Sequence, residues 1–84
     1  MNAETYAREN GWKFDSLGWS WRKGRPFTDS DACVIYRKPG GVLVVEAYEG
    51  YKLHTTRSKS RKVLVAMKEF DAKIQAKGGS HEHG

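Results

Sequence analysis

Eighty-four residues suffice for one small domain with a single core. No run approaches the roughly 18 apolar residues of a membrane span, and the opening MNAETYAREN is polar throughout, so no signal-peptide pattern is expected there. A single cysteine, Cys33, excludes an internal disulfide framework and fits a reducing compartment, so a cytoplasmic domain is expected over residues 1–79, with 80–84 as a disordered tail.

Ala3 to Asn10 reads as a short helix, with Asn2 as N-cap, Glu4 in the first turn and Asn10-Gly11 as the stop. Its apolar stripe (Ala3, Tyr6, Ala7) is too thin to hold a helix alone, so it must dock on a sheet. Trp12-Lys13-Phe14 and Trp19-Ser20-Trp21 alternate aromatic and polar residues, as half-buried strands do, around a turn at Asp15-Ser16-Leu17-Gly18. Trp12 is expected in the core, while Trp19 and Trp21, sharing a face of one strand, divide between core and contact roles. Arg22-Lys23-Gly24-Arg25-Pro26 breaks the alternation and is expected to form a basic loop.

Ala32–Arg37 and Val42–Tyr48 are the strongest strand segments, joined at Pro39-Gly40-Gly41 as a hairpin. Alternation puts Cys33 and Ile35 on the face of Leu43, Val45 and Ala47, the expected core face. Val34, Tyr36, Val44, Glu46 and Tyr48 fall on the other, to be covered by the first helix or used for contact. Tyr51 to Thr55 reads as a further strand. Between Thr55 and Lys77 the apolar residues Val63, Met67, Phe70 and Ile74 recur at helical spacing, and Gly78-Gly79 is the expected stop. The order predicts an α+β fold: a short N-terminal helix, an antiparallel meander sheet of three to five strands, and a long C-terminal helix packed on one sheet face.

The net charge of +5 is concentrated late in the chain. Residues 57–77 hold seven Lys/Arg against two Asp/Glu, whereas residues 1–56 hold eight against seven. Arg57, Lys59, Arg61 and Lys62 are expected to crowd the first turns of the last helix, where no acid precedes Glu69. Cations are disfavoured at that end of a helix by roughly 0.3–1 kcal/mol each, and unpaired amides with cations form an anion site. Arg22, Lys23 and Arg25, with Trp21 and Tyr36 as aromatic anchors, complete the expected partner-binding set. Reversing Arg61 and Lys62 to Glu is expected to leave the fold intact.

For catalysis the chain offers little. His54 has no carboxylate pair with acid–base spacing, and Cys33 lies among apolar strand residues, where cysteine is an inert core residue. His81 and His83 are two metal ligands on a tail, too few for a site. The two Gly-Gly pairs are accounted for by a turn and a cap. No enzyme activity, cofactor, metal, membrane contact or small-molecule substrate is expected.

Helix, hairpin sheet and last helix, with Ser58-Lys59 and Arg61-Lys62 opening that helix, resemble a double-stranded-RNA-binding domain. The resemblance implies that Lys59, Arg61 and Lys62 hold phosphate and that Glu4 stands where the first helix meets a minor groove. This sequence departs from the family's pattern in having Ser60, Lys62 and Val63 where the family has Lys, Ala and Lys, and in lacking its Gly-Pro-x-His loop. The whole-chain profile (short, aromatic, without a catalytic set, with one concentrated charge surface) is similar to phage-encoded anti-CRISPR proteins, of the type I-E kind. That likeness implies a non-enzymatic inhibitor in the host bacterial cytoplasm, docking through Arg/Lys and aromatic residues on a CRISPR-Cas surveillance complex or another nucleoprotein complex. The alternative is a module that binds duplex RNA or DNA directly through the basic start of its last helix.

Overall fold

The computed structural model describes the backbone over residues 1–82 and side chains over residues 1–77. In chain order it contains α1 (Ala3–Glu9), β1 (Lys13–Asp15), β2 (Ser20–Lys23), β3 (Ala32–Arg37), β4 (Leu43–Glu49), β5 (Lys52–Ser58) and α2 (Val63–Glu82). The five strands form one antiparallel meander in the order β1-β2-β3-β4-β5. This is the α+β architecture expected from the sequence.

The Asn2 side chain caps α1, accepting from the Thr5 amide at 2.8 Å, and the chain leaves the helix through Gly11 at φ +80°, a conformation that glycine adopts without steric cost. The predicted core face is the one that is covered. Cys33, Ile35, Leu43 and Val45 bury against Ala66, Met67 and Phe70 of α2, with Ala7 of α1 and Trp12 closing the side. Trp12 meets Phe70 edge to face at 5.7 Å. Both helices lie on this face, so α1 does not cover the second sheet face, contrary to one of the two roles expected for it. There Ala32, Val34 and Tyr48 form a smaller cluster, with Phe27 against Tyr48 at 5.1 Å.

One carboxylate ties the layers together. Asp71 of α2 accepts hydrogen bonds from Tyr6 Oη (2.7 Å), Trp12 Nε1 (3.0 Å) and Lys23 Nζ (2.6 Å). α1, the approach to β1 and the end of β2 are thus all held to one turn of α2.

Four expectations need correction. Trp19 is not on β2; it sits in the preceding turn at φ +49°, so it does not share a strand face with Trp21. Arg22 and Lys23 belong to β2, pairing with Val34 and Cys33, because the longer β3 offers them backbone partners; only Gly24 onward loops out. β5 continues beyond Thr55 to Ser58, since all seven residues of β4 find partners on it. Gly78-Gly79 does not stop α2, which runs to Glu82. A glycine inside a helix costs about 1 kcal/mol relative to alanine without forbidding it. Of the expected tail, Ser80 to Glu82 are helical in backbone, and His83 and Gly84 lie outside the described residues.

Candidate docking surface

The basic stretch after β4 is built from three kinds of backbone. Arg57 is on β5 opposite Val44, facing the open side of the sheet. Lys59 and Ser60 form a turn closed by Ser58 Oγ, which accepts from the amides of Ser60 and Arg61, each at 3.2 Å. Lys62 directly precedes α2 and its carbonyl accepts the Ala66 amide at 3.1 Å. The cations therefore stand on a strand, a turn and a helix start rather than within the first turns of α2. A serine turn at the last residue of β5 accounts for the shift.

Arg61 differs from its neighbours. Its guanidinium pairs with Glu69 and reaches Thr56 Oγ1 at 3.4 Å, while its carbonyl accepts from Arg37 Nη2 at 3.5 Å. It is a bracket between β5 and α2. The same contacts bring in a cation that sequence reasoning did not single out. Arg37, with Lys38 beside it, opens the β3–β4 hairpin, and its second nitrogen donates to the Gly41 carbonyl at 3.0 Å. In an antiparallel meander, the end of β3 and the end of β5 lie at the same end of the sheet, so strand order alone could have found this pair. Arg37, Lys38, Arg57, Lys59, Arg61 and Lys62 thereby share one end of the molecule. Among the described residues, Arg57, Lys59, Lys62 and Lys38 make no ion pair.

The β1–β2 turn reaches this same end. It carries Leu17, 97% exposed, and Trp19, 77% exposed. Trp19 directly precedes Ser20, whose cross-strand partner is Tyr36, so it stands beside the end of β3 where Arg37 lies. Phe14 on β1 supports it edge-on at 5.9 Å and contacts Trp21 at 4.8 Å.

The other sequence-expected residues are dispersed. Lys23 faces the helices and is held by Asp71 at 2.6 Å. Trp21 packs against the core on that side. Arg22, on the open face, pairs with Asp15 at 3.5 Å and donates to Ser20 Oγ at 3.1 Å. Arg25 belongs to the loop at the far end, where its carbonyl accepts from Thr28 Oγ1 at 2.9 Å. Tyr36 lies on the open face and donates to Glu46 at 3.1 Å, with Tyr48 reaching the other oxygen of Glu46 at 3.5 Å. Burial first, then the carboxylate, raises the pKa of both phenols, while Arg57 beside Tyr36 and Arg22 beside Tyr48 act against it.

A cleft of about 730 Å³ runs between α2 and β5, floored by Val45, Ala47, Phe70 and Ile74. Its rim is neutralised internally: Lys77 bridges Asp31 and Glu49 at 2.8 Å each, and His54 lies 3.4 Å from Glu49. Hydrogen bonding to Lys77 lowers the pKa of Glu49, and bonding to Asp31 and Glu49 raises that of Lys77. Cys33 and His54 occupy the same cross-strand row with Ala47 between them, about 9.6 Å apart by strand spacing. Burial pushes the Cys33 thiol up to about 12, so it stays protonated at neutral pH. Among the described residues no group of three His, Cys, Asp or Glu is placed to hold a metal ion, and no helix is long and apolar enough to cross a membrane.

No family model, curated protein or solved structure matches this chain.

Proposed function

We infer that this is a non-enzymatic binding protein which docks through its basic end on a nucleic-acid-handling complex and inhibits it, in the manner of anti-CRISPR proteins. One observation carries the reading. Three separate turns converge at one end of the sheet, bringing Arg37, Lys38, Arg57, Lys59 and Lys62 together with the exposed Leu17 and Trp19. Among the described residues, Asp15 is paired with Arg22 and Glu69 with Arg61, and Glu46 on the open face is held by Tyr36 and Tyr48. Cations outside any ion pair, beside exposed aromatic and aliphatic side chains, are the composition of a contact surface for an acidic nucleoprotein. The test is target-DNA binding by a purified type I-E surveillance complex with this protein added. Inhibition that disappears in the Lys59→Glu/Lys62→Glu variant supports the reading, and undisturbed target binding removes the anti-CRISPR assignment.

A second reading, direct duplex binding by the isolated domain, is favoured by the same cluster of unpaired cations. Direct binding would release counterions, so log affinity would fall with log salt by roughly 0.9 per phosphate neutralised. Tight binding to naked duplex with that slope would favour this second reading over docking on a complex.

A further inference from the structure

Trp19 is placed against the local preference of the backbone. At φ +49° it occupies the left-handed region, where glycine sits freely and a bulky side chain is strained. Its ring is nonetheless mostly in water, touching the rest of the protein edge-on at Phe14. Phe27 shares the backbone anomaly at φ +61°, but its ring covers Tyr48 and so contributes to the fold. Trp19 covers no part of the core. The hairpin turn sets the backbone there, but the ring itself gains little from the fold and is left free for contact.

Its surroundings indicate what that contact is. On one side the exposed Phe14 and the half-buried Trp21 extend the aromatic surface along the β1–β2 hairpin. On the other, Arg37 and Lys38 begin a run of cations outside any ion pair, which continues through Lys59 and Lys62 across the end of the sheet. From β1 to β5 this path spans four strand spacings, about 19 Å. Aromatic faces beside a track of cations are the two elements by which proteins hold single-stranded nucleic acid: bases stack on the rings and phosphates follow the charges. A duplex keeps its bases paired and gives an exposed indole nothing to stack on.

Resting on the docking reading above, we propose that the β1–β2 turn and the basic end together bind an unpaired segment of RNA or DNA, with a base stacked on Trp19. The phosphates on either side lie against Arg37, Lys38, Lys59 and Lys62. The site takes strands without reading their sequence, since every base offers a π face.

The experiment titrates oligo(dT), oligo(U) and a blunt DNA duplex into the full chain at low salt, reading tryptophan fluorescence and anisotropy. Single strands should bind more tightly than the duplex and quench the fluorescence. Log affinity should fall with log salt by about 0.7 for each phosphate held. Trp19→Ala should weaken oligonucleotide binding roughly 5- to 150-fold, the range of one lost base–aromatic stack, with the salt slope unchanged. Trp19→Phe should restore part of the affinity. Trp19→Gly should bind as poorly as Trp19→Ala while melting at the same temperature as wild type or higher, which separates binding from folding. Lys59→Glu/Lys62→Glu should instead flatten the slope by about one to two. Absent quenching, a preference for duplex, or undiminished affinity in Trp19→Ala would each overturn the proposal. If the surveillance complex is still inhibited in that case, docking stands and Trp19 is a protein anchor. If single strands bind but no complex is inhibited, the docking reading falls instead.

Discussion

At Asp71 three donors from three segments reach one carboxylate. Burial alone would raise its pKa, but the hydrogen bonds from Lys23, Trp12 and Tyr6 outweigh burial and hold the group below the ordinary carboxylate value. A lowered folded pKa stabilises the protein fully above the unfolded value, near 3.9, and the gain is lost as pH falls through the folded value. Asp71→Asn should therefore cost about 2–3 kcal/mol at neutral pH, leaving Lys23 without its counter-charge. Thermal melts of that variant should also show a flatter decline below about pH 4 than wild type; an unchanged acid limb would mean that Asp71 does not carry it. Asp71 was legible in the sequence only as one more charge on a polar helix face, because its three donors lie 48 to 65 residues away in sequence. Cys33 was legible: an apolar strand neighbourhood implies burial, and it is fully buried. It should resist alkylation in the folded protein, and Cys33→Ala should cost about 1 kcal/mol or somewhat more for the small cavity. Rapid labelling of the native thiol would contradict its placement.

Among the elements, α2 and the β3–β4 hairpin were readable because each has one dominant period. Val63, Met67, Phe70 and Ile74 all turn to the core, and the alternation of β3 and β4 fixed both faces. Phe70→Ala should cost roughly 3–5 kcal/mol, enough to unfold much of so small a domain, and a melting temperature near wild type would show that this helix face is not packed. The junction between β5 and α2 was read less well. Periodicity locates apolar residues, but Arg57 to Lys62 contain none, and their backbone is set by strand register and a serine turn. The consequence is sharpest at Arg61 and Lys62. Both were expected to tolerate reversal, yet Arg61 brackets β5 to α2 through Thr56, Glu69 and Arg37. Arg61→Glu should destabilise by about 1–2 kcal/mol by setting two acids against each other, whereas Lys62→Glu, exposed at a helix start, should be neutral or slightly stabilising. Equal melting temperatures for the two variants would contradict the bracket.

At the scale of the whole molecule, the meander converts scattered cations into a single basic end while the opposite end ties Lys77 to Asp31 and Glu49. The sequence showed that basicity lay late in the chain. It did not show that Arg37, Lys38, Leu17 and Trp19 would join it, since that follows from which strand ends coincide. The central claim is that this end is the docking surface, and capture tests it most directly. Wild type and Lys59→Glu/Lys62→Glu, matched in melting temperature, are used as bait in bacterial lysate before and after nuclease treatment. Wild type is predicted to retain a nucleoprotein complex after nuclease treatment and the reversed variant to lose it. Equal capture by both proteins would contradict the claim.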